Sequence, residues 1–410
     1  MQTDIAPQFA ATTHGQEAEA ILRKCVHCGF CNATCPTYLL LGDELDGPRG
    51  RIYLMKQVLE GHTPTRATQL HLDRCLTCRN CETTCPSGVQ YGNLVETGRR
   101  IVDEQVPRPA GERALRWLLK EGLTSPLFAP ALKAGQLVRP LLPAALKAKV
   151  PAAAGASAHR WPTRTHPRKV LMLMGCVQPA LQPNINSATA RVLDCAGIQT
   201  LVADEAGCCG AIRLHLNDEA GAHDHMRANI DAWWPLVAKG EVEAIVMNAS
   251  GCGVTVKGYG HALAHDPAYA ERARRIGDLT RDLSELLPDI VASLPTLPAS
   301  TKRIAFHPPC TLQHGQRLRG HVEAAFSKLG FDIRVATNES HLCCGSAGTY
   351  SVLQPELAGA LRDRKLGHLA ELAPETIVSA NIGCIQHLQS GTTTPVRHWI
   401  EVLDEALERK

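Results

Sequence analysis

Cys25, Cys28, Cys31 and Cys35, closed by Pro36, repeat their spacing at Cys75, Cys78, Cys81 and Cys85 before Pro86. Three thiolates at successive x2 spacings fold onto three corners of one iron-sulfide cube, while the fourth, pushed on by an extra residue and a proline, turns to a neighbouring cube. The run C-x2-C-x2-C-x3-C-P therefore predicts two 4Fe-4S sites that exchange one ligand: Cys25, Cys28, Cys31 and Cys85 at the first, Cys75, Cys78, Cys81 and Cys35 at the second. Sites interleaved in this way stand close together, as electron transfer requires. A pair of zinc sites competes with this reading, but closed zinc sites usually take two separated C-x2-C pairs.

A second group of thiols occupies the other end of the chain and is itself duplicated. Cys176, Gly207-Cys208-Cys209-Gly210 and Gly251-Cys252 are followed, in the same order and at similar intervals, by Cys310, Leu342-Cys343-Cys344-Gly345 and Gly383-Cys384. Two copies of Cys-Cys-Gly are hard to attribute to core filling, so both sets read as metal-thiolate or redox sites: Cys310, Cys343, Cys344 and Cys384 in one, Cys176, Cys208, Cys209 and Cys252 in the other. His307, His314, His341 and His387 lie near the second set. Cys384-Ile-Gln-His387 is a candidate ligand pair, with a histidine that only supports a neighbouring thiolate as the rival reading. Thr255 stands at the matching place after Cys252. Cys195, with no counterpart in the second copy, reads as a small buried hydrophobe.

Apolar patterning supplies the elements that must hold these thiols. Val170 to Met174, Thr200 to Ala203 and Ala244 to Met247 are predicted strands, with a helix over Ala188 to Ala196; Arg303 to Phe306, Asp332 to Val335, Thr376 to Ser379 and the helix Val322 to Leu329 repeat them. Strand-helix-strand units with parallel strands place the cysteines at the carboxyl ends of the strands, where open α/β sheets bind ligands, so the two sets of thiols are expected to converge. Around the first motifs the pattern is helical, over Gln16 to Lys24, Gly50 to Glu60 and Thr68 to Arg74. Arg49 and Arg51 read either as offsets to cluster charge or as a solvated helix start. His27, between two ligands, reads as a tuning or spacer residue outside the ligand set.

The chain carries 43 Lys and Arg against 40 Asp and Glu, a balance that provides no global field for nucleic acid. Its 17 cysteines, an odd number without a secretory signal, point to metal or redox chemistry in a reducing compartment rather than to a disulfide framework. No apolar run approaches membrane-spanning length, and the expected location is cytoplasmic or peripheral on the inner face of the cytoplasmic membrane. No glycine-rich dinucleotide fingerprint or phosphate loop occurs, so flavin or nicotinamide belongs to a partner.

The expected organisation is multidomain α+β: a helical domain over 1–110 with two 4Fe-4S clusters, a basic Pro/Ala-rich linker over 111–168, and two α/β domains with short parallel sheets over 169–290 and 300–410. Between Arg113 and Lys169 the only acidic residue is Glu121, and the leucines and Trp117 of its first part suggest short amphipathic helices. Those leucines are expected to cover the helical domain; the competing reading is a basic, apolar surface that docks a flavoprotein or a membrane, with Lys133, Arg139, Lys147 and Lys149 as its cations. Beyond Pro151 the composition is that of a flexible connector.

Twin cysteine runs followed by two Cys-Cys-Gly repeats resemble the iron-sulfur electron-transfer subunits of 2-hydroxyacid and glycerol-3-phosphate dehydrogenases, and more distantly the heterodisulfide reductase subunits. Gly42-Asp-Glu-Leu-Asp-Gly-Pro-Arg-Gly-Arg-Ile-Tyr-Leu, the stretch from His71 through Pro86, Asn229-Ile-Asp-Ala-Trp-Trp-Pro and His341-Leu-Cys-Cys-Gly-Ser-Ala-Gly-Thr-Tyr narrow the resemblance to the glycolate oxidase iron-sulfur subunits. It implies a ferredoxin domain and two cysteine-rich (CCG) domains in a subunit without a substrate site of its own. FAD-bearing partner subunits would oxidise glycolate to glyoxylate, and this chain would pass electrons towards quinone or another membrane acceptor. It also implies the two 4Fe-4S clusters and leaves room for one or two more in the CCG domains. The heterodisulfide reductase pattern ends each repeat in C-x2-C, a pattern that Cys252-Gly-Val-Thr255 and Cys384-Ile-Gln-His387 break. The readings kept beside this one are a cluster subunit acting with lactate or glycerol-3-phosphate, and a zinc-thiolate interaction scaffold.

Overall fold

The structure, a computed structural model, describes residues 1–141, 143, 161–297 and 300–408. In the amino-terminal region the helices Thr13–Lys24, Pro48–Leu59, Arg66–Asp73 and Tyr91–Gln105 enclose a core that includes Ile21, Leu22, Met55, Leu94 and Val95. Gly98 lets two of these helices close on each other, since a Cβ there would sit 2.5 Å from the Met55 sulfur. The cysteine runs are the loops between helices. Both bend in the same way: His27 and Gly29 have φ of 60° and 84°, and Thr77 and Arg79, at the same offsets in the second run, 51° and 57°. His27 thus serves the turn, with its Nε2 3.3 Å from the Arg49 carbonyl.

The rest of the described chain forms two parallel sheets. β1 (Arg168–Met172), β2 (Ile198–Leu201), β3 (Ala244–Met247) and β4 (Thr280–Asp282) run in the order β2-β1-β3-β4. β5 (Ser300–Phe306), β6 (Phe331–Val335), β7 (Thr376–Ser379) and β8 (Val396–His398) repeat it as β6-β5-β7-β8. The duplication read from the cysteines is therefore a duplication of topology. The chain order reverses between β1 and β3, and between β5 and β7, which opens the crevice that such sheets use for ligands. β4 and β8 were not expected. Each is three residues long with a polar or charged residue at its centre, too short for periodicity to register.

The two sheets share one hydrophobic core, in which Val170, Ile185 and Val192 meet Phe306, Phe326 and Trp399. Helix Asn184–Cys195 packs on helix Trp399–Glu408, where Arg191 pairs with Asp404 and Asn184 donates to Glu401 at 3.0 Å. Behind them His398 spans the repeats, its Nε2 donating to the Asn248 carbonyl at 2.9 Å while its Nδ1 accepts from the Ile400 amide.

Two expectations need correction. Cys195 is exposed, not buried: in the last turn of its helix Val192 and Leu193 go into the core and Asp194 is buried against Arg164 and His166, which leaves the Cys195 side to solvent. The linker forms the expected helices, Ala110–Thr124 and Phe128–Val138, but no residue of either is buried. Its leucines do not cover the helical domain: Trp117, Leu118, Leu127 and Leu137 are exposed. Ion pairs hold the first helix instead, Arg116 to Asp73 on the amino-terminal side and Glu121 to Arg213 on the first repeat. Lys147, Lys149 and the stretch 151–160 lie outside the described residues. No described helix is long and apolar enough to cross a membrane.

Candidate redox site

The eight thiols of the first motifs line two small cavities. Cys25, Cys28, Cys31, Cys81 and Cys85 border one; Cys35, Cys75, Cys78 and Cys81 border the other. The first lies at the surface, with Cys28 exposed beside exposed Val26 and Phe30; the second is enclosed, with Cys35, Cys75 and Cys81 buried. Burial pushes the Cys31 thiol up to about 12 and Cys81 well above its ordinary value. Groups so reluctant to ionise alone become thiolates when a metal takes the proton's place.

Cys75 differs. Burial would raise it, but the Arg51 and Arg99 guanidiniums outweigh burial and hold it below its ordinary value. The Thr77 amide and the Tyr91 hydroxyl donate to its sulfur at 3.4 and 3.7 Å. Arg51 is thus no solvated helix start. It is 1% exposed, donates to the His71 carbonyl at 2.7 Å and Thr37 at 3.1 Å, and faces Asp46, which also takes Arg74 at 2.8 Å. Arg49 turns outward to Glu44. A sulfur-lined cavity of mostly buried thiols, with two guanidiniums near Cys75 and an N–H and an O–H donated to its sulfur, fits a thiolate-ligated iron-sulfur cluster, whose negative charge those groups offset.

The second group of thiols is packed more tightly. Cys176 and Cys208 lie 3.4 Å apart and act as one pair: the shared hydrogen bond pushes Cys176 up and Cys208 down. Cys310 and Cys343 lie 3.8 Å apart. In both repeats the Cys-Cys-Gly turn presses against the long helix that follows it. Gly345, at φ 93°, shows why glycine is needed, since a Cβ would meet the Ala358 carbonyl oxygen at 2.5 Å. Cys384 opens helix Ile382–Gln389, as Cys252 opens Ser250–Lys257, so each stands at the carboxyl end of a strand.

His387 is not in the group of close ligand atoms that the second repeat forms among the described residues; its Nε2 donates to the Ala358 carbonyl at 3.0 Å. Lys365 was invisible in the sequence: it is 2% exposed, donates to the Glu339 carbonyl, and has Cys344, Cys343 and Cys310 as charge neighbours. Nothing in its helical run Arg362-Asp-Arg-Lys365 marks one cation as buried. Arg99, bonded to the Leu72 and Cys75 carbonyls, was missed for the same reason.

The groups meet at one junction. Leu76 and Cys78 share a hydrophobic cluster with Cys310, Cys343, Tyr350 and Leu361. The Tyr350 hydroxyl donates to the Arg74 carbonyl at 3.1 Å, and Thr83 bonds His314 Nδ1 at 2.9 Å, which clamps the second cysteine run to the second repeat. A cavity of about 1240 Å³ opens beyond, bordered by Cys78, by Cys176 and Cys252 of one repeat and by Cys310 and Cys384 of the other. The expected convergence of the repeats is thus a shared cavity, and the second cysteine run belongs to its wall.

Comparison with known proteins agrees with this division. Residues 21–89 match the 4Fe-4S dicluster domain family, and residues 170–257 and 304–389 each match the cysteine-rich domain family. The chain is 53% identical to the glycolate oxidase iron-sulfur subunit of Escherichia coli (strain K12), over 100% of both chains. It is 29% identical to the probable glycolate oxidase iron-sulfur subunit of Bacillus subtilis (strain 168), over 91% of this chain and 89% of that one. Lactate utilization protein A of Bacillus licheniformis, at 24% identity, covers 58% of this chain and 99% of its own length. With a dicluster domain docked on two cysteine-rich repeats and full-length identity of this order, the chain belongs to the glycolate oxidase iron-sulfur subunit family, as an electron-transfer subunit.

Proposed function

We propose that this chain carries electrons from FAD-bearing subunits that oxidise glycolate to glyoxylate, through two 4Fe-4S clusters and the second CCG repeat, towards quinone. The observation that carries the reading is the junction at Cys78, which shares one hydrophobic cluster with Cys310 and Cys343. Cys25, Cys28, Cys31 and Cys85 would hold one cluster, and Cys75, Cys78, Cys81 and Cys35 the other. Each cluster, when bound, supplies a one-electron carrier, which lets a two-electron oxidation proceed in single steps. The surface-lying first motif, with exposed Cys28, Val26 and Phe30, is the entry end, where a flavin subunit approaches. Arg51 and Arg99 offset charge at Cys75 in the enclosed second motif, and Leu76 and Tyr350 exclude water from the path to the second repeat.

The test is the complex purified anaerobically. About eight irons and eight sulfides per chain from the two motifs, and bleaching of the iron-sulfur absorbance on adding glycolate, are expected. A fully loaded complex that glycolate leaves oxidised would overturn the substrate assignment, and lactate added next would test the second reading, which rests on similarity to the lactate utilization proteins.

A further inference from the structure

Beside the thiols of the second repeat, one imidazole is buried with nothing to bind. His307 is 1% exposed, and neither of its ring nitrogens has a hydrogen-bond partner. An unsatisfied buried polar group is costly, so a retained imidazole of this kind calls for a ligand. Its surroundings name one. One of its ring nitrogens and the sulfurs of Cys344 and Cys384 all lie within 4.8 Å of one another, and all three residues are buried. Cys343, next to Cys344 in the Cys-Cys-Gly turn, is buried beside them.

The first repeat shows what this position holds when no ligand is intended. The His307 amide donates to the Val378 carbonyl at 2.8 Å, and the Leu173 amide donates to the Val246 carbonyl at 3.4 Å; each stands three residues before the first cysteine of its repeat. The positions are equivalent, and the fold accepts leucine there. The buried cation follows the same division. The Ala222 and Ala358 carbonyls both abut the Cys-Cys-Gly glycine, and seven residues on stand Asn229 in the first repeat and Lys365 in the second. Only the second repeat therefore combines an unpartnered imidazole with a buried ammonium among its thiols.

We propose that His307, Cys344 and Cys384 ligate a thiophilic transition-metal ion, with Cys343 as the fourth donor. Three sulfurs and one imidazole complete a four-coordinate shell that suits a single iron or zinc ion, and not the hard cations that prefer oxygen. Donor atoms this close fit ligands to a single ion, which stand about 3–4 Å apart at a tetrahedral centre. The ferredoxin-type thiols, which in a cubane sit on different irons, form no such tight triplet among the described residues. The site does not depend on which substrate the partner subunits oxidise.

The full chain, purified anaerobically, should carry metal beyond the eight irons of the two motifs. In His307→Leu, which copies the first repeat, loss of that extra metal to a chelator should be at least tenfold faster, while the eight irons stay and report an intact fold. In His307→Cys the metal should be retained. Iron lost without sulfide identifies a mononuclear iron site and zinc lost alone a zinc site, whereas extra iron lost together with sulfide overturns the single-ion assignment. With ¹⁵N-histidine, an iron centre should show nitrogen coupling in pulsed EPR, and a zinc centre a nitrogen in its X-ray absorption shell, and either should vanish in His307→Cys. Should His307→Leu lose all its irons by misfolding, the His307→Cys comparison decides alone. Absence of extra metal in the wild type, an unchanged chelator rate in His307→Leu, or no nitrogen at the centre overturns the proposal. Loss of the eight motif irons from the wild type would instead count against the two-cluster reading.

Discussion

The two cysteine-rich repeats have the same strand order and the same cysteine frame, yet their interiors are chemically unlike. Around the first set stand Leu173, Asn229 and Thr255, all neutral; around the second stand His307, Lys365 and His387. Asn229 works on the backbone, accepting from the Gly207 amide at 2.8 Å and donating to the Cys208 carbonyl at 2.9 Å, and so fixes the Cys-Cys-Gly turn. Lys365 also binds a carbonyl, but its charge lies among thiols. The paired cysteine runs divide in the same way: the first is at the surface, and the second is enclosed with Arg51 and Arg99. Duplication supplies two geometries for thiols, and buried cations distinguish the copy that has to hold negative charge away from water. The two charge-compensated copies are the ones that touch.

The sharpest way to break this contrast is to remove a buried cation. Arg51→Met should destabilise the amino-terminal region by about 3–5 kcal/mol, because Asp46 stays buried with one guanidinium fewer, while Arg49→Met, at the exposed pair with Glu44, should stay within about 1 kcal/mol. Chemical denaturation of the two variants measures the difference, and equal costs would remove the argument from burial. Next come the thiols. Cys343→Ser/Cys344→Ser should lower glycolate-dependent acceptor reduction by the complex at least about 100-fold, and Cys208→Ser/Cys209→Ser by less than about tenfold. Equal losses would mean that both repeats lie on the electron path.

Smaller effects sharpen the comparison. Lys365→Met should move the reduction potential of a centre in the second repeat to more negative values by about 60 mV, the equivalent of one pKa unit of lost attraction, as read by redox titration. The smallest is a pH effect between the repeats. Burial holds His398 at about 3, far below the ordinary histidine value, against a carbonyl bond that pulls it up. The folded state therefore keeps it neutral. Stability is fully present above pH 6.5 and falls as the unfolded chain takes the proton, by about 1 kcal/mol between pH 6.5 and 5.5. A His398→Asn variant should lack that part of the slope in denaturation curves taken across this range.

Much of this molecule is legible in one dimension because its chemistry and its periodicity are local. The spacing of eight cysteines defines two clustered sites, the Cys-Cys-Gly pairs announce a duplication, and runs such as Ala244 to Met247 and Thr376 to Ser379 are buried strands at the positions read from their apolar content. Helix limits differ from expectation by a few residues at most, as for Arg66–Asp73 and Asn184–Cys195. What the tertiary structure decided is which polar residues are taken out of water. Arg49 and Arg51 are two residues apart on one helix, so opposite sides of a turn send one to solvent and the other to Cys75. His307 and His387 look alike beside their cysteines, but a strand end directs the first towards Cys344 and Cys384 while a helix turns the second to the Ala358 carbonyl. The choice of the second repeat as neighbour to Cys78 depends on packing between residues more than two hundred positions apart, where no local signal in the sequence reaches.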